Sequence, residues 1–231
     1  MYYYPSIERD RFDPIVVKIL ILSNVIMFIL ELIFPKISYT LALLPEDVLA
    51  GRNLWTLFTH MFIHYGILHL FLNMYALFIF GPECERELGH EKFALLYFIS
   101  GLVGGVLHAF ISPMKWVRAG GASGAVFGVM AAFAILFPRR KIAIFVFVGF
   151  IVLPAWLLVV GYALIELLYL LLEVQDFIGH AAHLGGMLGG ATITILHKES
   201  KKKKMRPPFE RQVIFVYQEY MEDYDYDYDY Y

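Results

Sequence analysis

Long apolar runs, each near the length of a bilayer crossing and each closed by proline, glycine or clustered charge, leave this chain few ways to fold. The first occupies residues 15–34 and is stopped by Pro35. Others occupy residues 65–80, up to Gly81-Pro82, then 93–111, up to Ser112-Pro113, and 123–137, up to Pro138 and the basic cluster Arg139, Arg140, Lys141. A continuous apolar stretch over 142–172 is divided by Pro154; we read 142–153 as an aromatic segment lying along the cytoplasmic face and 154–172 as a fifth span. A sixth covers 178–196. Roughly 20 apolar residues cross a hydrocarbon core, and backbone within lipid must satisfy its own hydrogen bonds, which a helix does. The predicted fold class is an all-α polytopic membrane protein, a bundle of six transmembrane helices with a membrane-associated first loop over residues 36–62.

Only 17% of the residues are charged, against roughly 25% in soluble domains, which sets aside a soluble enzyme. A single cysteine, Cys84, excludes an internal disulfide. No cleavable signal peptide is expected, because charged residues precede the first apolar run and no small-residue cleavage site follows it. Lysine and arginine orient the spans. With the N-terminus inside, only Lys36, Arg52, Lys115 and Arg118 of the 19 basic residues fall outside. Both termini are then cytoplasmic. The domain reading is a cytoplasmic N-terminal segment (1–14), a membrane domain (15–197), and a cytoplasmic tail (198–231). That tail is polybasic at Lys201 to Lys204, then acidic and tyrosine-rich, and is expected to be disordered.

In this orientation the second, fourth and sixth spans all open on the outside. Their outer residues are His69 and Asn73, Ser123, and His183. Polar groups inside a membrane are costly unless they face a protein-lined cavity, so four of them near one depth form a functional hypothesis. Ser123 lies in Gly120-Gly121-Ala122-Ser123-Gly124, where a small residue serves either as packing filler or as a nucleophile with backbone close by. Gly124 and Gly128 on the fourth span, and Gly186 and Gly190 or Gly185 and Gly189 on the sixth, repeat every four residues and let two helix backbones approach. If those faces meet, Ser123 and His183 come within reach, the arrangement that activates a serine hydroxyl. His69 and Asn73, four apart, share a helix face. They can donate hydrogen bonds to an oxyanion together with the backbone at Ser123 and Gly121, or they can simply hold helices together.

Four motifs carry a resemblance: His60-x3-His64-x4-His69-x3-Asn73, Gly81-x3-Glu85-x3-Gly89, Gly121-Ala122-Ser123-Gly124, and Ala182-His183-Leu184-Gly185-Gly186-x3-Gly190. In this order, on these spans, the chain resembles the rhomboid family of intramembrane serine proteases. The resemblance implies a Ser123/His183 dyad with no third carboxylate, oxyanion roles for His69 and Asn73, and a central fourth span. It implies hydrolysis of a peptide bond in or near a transmembrane helix, with membrane-protein substrates and the lipid bilayer as partners. No cofactor, metal or nucleic acid is called for. Two positions depart from some bacterial members: Trp55-Thr56 stands where those carry Trp-Arg, and Phe127 where some carry Tyr. Phe127 keeps a ring able to pack on His183.

Other readings weigh less. His60 and His64 have metal-ligand spacing, but no acidic residue lies between them and no third ligand is evident. Hydrogen-bonding support for the first loop is the plainer role for His64. His180 is a rival base. Glu85 is read as tying the turn after the second span. Glu31 and Glu166 are ionisable inside spans, and Glu166 keeps open a proton-coupled transporter, although the two halves show no repeat symmetry. A non-catalytic relative that binds transmembrane helices is a further alternative. The Pro154 break and Gly161 suit a mobile fifth helix.

Overall fold

The computed structural model describes residues 12–146, 149–174 and 178–205. Along these residues run α1 (Ile15–Ile33), α2 (Lys36–Leu41), α3 (Pro45–Leu49), α4 (Thr56–Thr59) with a 3-10 turn at His60–Phe62, α5 (Ile67–Leu88) and α6 (His90–Ile111). Then come α7 (Ser123–Leu136), strands β1 (Lys141–Val146) and β2 (Gly149–Pro154), α8 (Ala155–Leu171) and α9 (His180–Met205). The chain parts into two compact units, Met1–Thr194 and Ile195–Tyr231. The second is described only along the end of α9; the Tyr/Asp-rich end of the tail and residues 1–11 lie outside the described residues.

Helices α1, α5 and α6 are long and apolar enough to cross a membrane, and α7 and α8 are apolar but shorter. A helix that is apolar all round belongs inside a bundle, and α7 is buried along both its small and its large residues, from Gly124 and Ala125 to Val129 and Phe133. It packs against α5, α6 and α8. By contrast α1 and α8 turn one face inward and leave large apolar side chains exposed, among them Leu22, Leu32, Leu164 and Leu171. Lipid is no poorer a solvent for leucine than another helix is, so such faces need no protein cover.

Four boundaries differ from the sequence reading, each for a physical reason. α5 does not stop at Gly81-Pro82 but carries Pro82 inside it and runs to Leu88. Proline removes one ladder hydrogen bond, yet the turn beyond it is held from outside. Buried Glu85 accepts the N–H of Val16 on one oxygen and of Val17 on the other, both at 2.9 Å, and so caps the first turn of α1. Glu85 also meets His90 Nδ1 at 2.5 Å, so it ties the following turn, as expected, and a second helix besides. The break falls at Gly89, whose φ of 80° suits glycine, and α6 opens at His90 rather than Phe93.

The segment after α7 is an antiparallel hairpin, registered from Lys141↔Pro154 to Val146↔Gly149, and is the departure from an all-α fold among the described residues. An unbroken apolar run has no period to separate strand from helix, and Ile142, Ile151 and Val152 favour a strand. Ala155 N–H donates to the Arg140 carbonyl at 2.8 Å, which carries the hairpin ladder into the start of α8. The last helix continues past residue 196 to Met205, through the lysine cluster. The first loop is built from short helices, with Glu31 of α1 accepting from Ser38 Oγ at 2.8 Å and from the His64 N–H at 3.1 Å.

Candidate active site

Glycines decide how closely the helices bearing the site can meet. A methyl group at Gly186 would lie 1.8 Å from the Gly124 carbonyl oxygen, and one at Gly190 would lie 2.1 Å from the Gly128 oxygen. Those values mean that α9 and α7 touch backbone to backbone. The neighbouring register faces α6 instead: a methyl at Gly185 would lie 2.9 Å from Gly104 Cα, and one at Gly189 would lie 3.0 Å from Ser100 Cα. The two glycine pairs of α9 thus serve one neighbour each, and three backbones cross with no side chain between them.

Where the opening of α7 meets α9, Ser123 Oγ lies 2.9 Å from His183 Nε2, at hydrogen-bond distance. Ser123 is half-buried, and His183 is buried. Phe127, one turn along α7, stacks on the His183 ring with centroids 4.2 Å apart and planes 22° from parallel. That contact restrains the imidazole about its own axis, and it needs only the ring that Phe127 provides. The hydroxyl sits at the opening of α7, where helix geometry leaves the first backbone N–H groups without intrahelical partners.

His69 borders the same spot. A methyl at Gly121 would lie 2.9 Å from His69 Cε1 and Nε2 and 3.5 Å from Ser123 Oγ. Gly121 also has a φ of 148°, so glycine is required there twice over. Its expected role needs correcting, however. The Gly121 N–H donates to the His60 carbonyl at 2.9 Å and is not free to hold an oxyanion; Gly121 makes room for His69 instead. Asn73 donates one amide N–H to the His69 carbonyl at 2.8 Å, which leaves a second donor on the same nitrogen.

His64 supports this wall from the first loop. Its Nε2 accepts the Ala122 N–H at a long 3.5 Å, and its ring lies 5.1 Å from that of His69. Burial, together with the charge His69 can carry, pushes the His64 pKa down to about 4, so the ring is neutral at pH 7 and able to accept. Burial does the same for His60, also to about 4, and its Nδ1 bonds the Thr56 carbonyl at 2.8 Å.

Two carboxylates whose partners were not foreseen complete the neighbourhood. Glu31 braces the first loop, as described. Glu166 of α8 reaches α9: its Oε2 lies 2.5 Å from His180 Nδ1 and its Oε1 lies 2.9 Å from His183 Nδ1. Both histidines thus meet Glu166, and His183 also meets Ser123 through its other ring nitrogen. The sequence signal for Glu166 was its charge within an apolar run; nothing in the pattern named its partners.

Chemically, the arrangement offers a hydroxyl, an imidazole in contact with it, and nearby donors from His69 and the helix opening, with Asn73 bonded to the His69 carbonyl. This is the equipment of acyl transfer.

Residues 51–199 match the family model described as "Rhomboid domain". The chain is 30% identical over 203 residues to a Bacillus subtilis (strain 168) protein named "Putative rhomboid protease YdcA", covering 84% of this chain and 94% of that protein. It is 30% identical over 147 residues to "Rhomboid protease GluP" of the same organism, covering 63% of this chain and 26% of that one. Over 139 residues it is 36% identical to "Presenilin-associated rhomboid-like protein A, mitochondrial" of Danio rerio, covering 56% of this chain and 34% of that protein.

Proposed function

The chain belongs to the rhomboid family of integral membrane proteins, and from that premise we propose that it is an intramembrane serine protease cutting membrane-protein substrates in or near their transmembrane helices. The observation that carries the reading is the 2.9 Å contact between Ser123 Oγ and His183 Nε2. In the proposed reaction Ser123 Oγ attacks the scissile carbonyl carbon while its proton passes to His183 Nε2. The carbonyl electrons move onto oxygen, where His69, the remaining Asn73 N–H and the opening N–H groups of α7 stabilise the charge. His183 returns the proton to the leaving amine as the C–N bond breaks. Water activated by the same imidazole then hydrolyses the acyl-enzyme and restores the serine.

Helices α1, α5, α6, α7, α8 and α9 are proposed as six spans of a cell-membrane protein. The excess of lysine and arginine in the segments we assign to the inside supports cytoplasmic termini and a site that opens on the other side. Membrane-protein helices and lipid are then its partners. The relatives named rhomboid protease support catalysis; those named rhomboid-like keep a non-catalytic helix binder as the competing outcome. The transporter alternative leaned on Glu166 as an unexplained charge, and that carboxylate is engaged by two histidines.

The test is labelling of the detergent-solubilised protein with a fluorophosphonate, alongside cleavage of a transmembrane reporter. Wild type should label and cleave, Ser123→Ala should do neither, and His183→Ala should lose on the order of 10³-fold in rate. Labelling that survives Ser123→Ala would move the site elsewhere. A folded wild type that neither labels nor cleaves would favour the non-catalytic binder.

A further inference from the structure

Glu166 is a buried carboxylate, beside the proposed base, that the proposed reaction leaves idle. It is 7% exposed, in an apolar helix. A buried carboxylate is costly unless it is paired and hydrogen-bonded; here one oxygen is hydrogen-bonded to His180 and the other lies at ion-pair distance from His183, a turn along α9. The face that carries it is set by helix geometry. Tyr162, four residues before, packs edge-on against Phe127, and Tyr169, three residues after, packs edge-on against His180. Residues 162, 166 and 169 thus form one stripe turned toward the site.

Resting on the reading of Ser123 and His183 as nucleophile and base, we propose that Glu166 is a positioning residue: a carboxylate supplied by α8 that engages His183 Nδ1 and so fixes which ring nitrogen faces the serine. A neutral imidazole carries one proton. Holding that proton on Nδ1, toward Glu166, leaves Nε2 as the lone-pair acceptor that Ser123 O–H requires. When Nε2 takes the serine proton, the imidazolium has a negative group behind it; Glu166 stays ionised and no proton moves to it. The 2.9 Å separation is an ion-pair distance whose angle falls outside hydrogen-bond geometry in the resting site, and such contacts tighten when charge develops. His180 holds the other oxygen at 2.5 Å and keeps the carboxylate from turning away. The dyad that the family resemblance implies gains, in this chain, a positioning carboxylate from a third helix, α8.

The experiment separates maximal acylation rate from probe affinity in fluorophosphonate labelling of the full-length solubilised protein, for wild type, Glu166→Gln, Glu166→Asp and Ser123→Ala, with thermal midpoints measured in parallel. Glu166→Gln should lower the maximal acylation rate by about tenfold or more, with the half-saturating probe concentration within about twofold. Glu166→Asp, which keeps the charge, should recover at least about a third of the lost rate on a logarithmic scale. A Glu166→Gln rate within twofold of wild type overturns the proposal, as does a loss that only follows a lowered midpoint or is unrelieved by aspartate. In those cases the serine hydrolase reading stands, provided Ser123→Ala abolishes labelling. A wild type that never labels removes that reading and this proposal together.

Discussion

Helices α7 and α8 are both apolar and both shorter than a full crossing, at 14 and 17 residues, yet they are held by opposite means. α7 is buried nearly all round, and its glycines meet α9 with no side chain interposed. α8 buries only Ala155, Leu158, Val159 and Glu166, and a methyl added at its Gly161 would meet nothing within 4 Å. The first is fixed by close packing, where every added atom must displace another. The second is held by Glu166 between two histidines, a few rings and the buried residues at its start. A nucleophile belongs on the former. The latter meets its neighbours through few buried side chains.

The comparison can be broken with glycine substitutions. Gly186→Leu forces side-chain atoms into the space now filled by the Gly124 carbonyl, and displacement of a reacting group by about 1 Å can cost ~10²-fold. The acylation rate should therefore fall by at least about that factor. A wild-type rate would mean the α7–α9 contact is not what brings Ser123 to His183.

A smaller effect is expected from acid. His60 and His64 have folded pKa values near 4 against an ordinary 6.5, so the unfolded chain binds more protons between those values. Stability is full above about pH 6.5 and drains as pH falls through about 4. The thermal midpoint in detergent should drop across that window by roughly 5 °C or more, and His64→Gln should flatten the drop. A midpoint level to pH 4 would contradict the bracing of the first loop by neutral histidines.

The smallest change belongs to α8. Gly161→Leu should leave the acylation rate within about twofold, since space is open there and a helix favours leucine over glycine. If it proves as damaging as Gly186→Leu, the two helices are not held differently after all.

What could be read in advance divides along the same line. Contacts made by repetition on a helix were legible: the glycine pairs, the meeting of Ser123 with His183 at one end of them, and the ring of Phe127 on His183. Local spacing sets them, and the structure brings them together as spacing demands. Contacts between single residues far apart in the chain were not. Glu85 reaches back 68 residues to Val17, and Glu31 reaches forward 33 to His64. A charge in an apolar run announces that it has a partner without saying which. Gly121 shows the same limit at finer scale, because the sequence cannot show that its N–H is spent on His60. The hairpin was hidden for another reason: a run apolar at every position carries no period.

The cap that Glu85 places on α1 has a bearing on biogenesis. The ribosome makes Val16 and Val17 nearly seventy residues before the side chain that will hold their N–H groups, an interval of roughly 3–14 s at ordinary elongation speeds. Through that time Glu85 cannot cap the leading turn of the first helix. Its final docking is clocked by emergence of the second long helix, so a stalled nascent chain cut short of residue 85 should hold its first helix loosely.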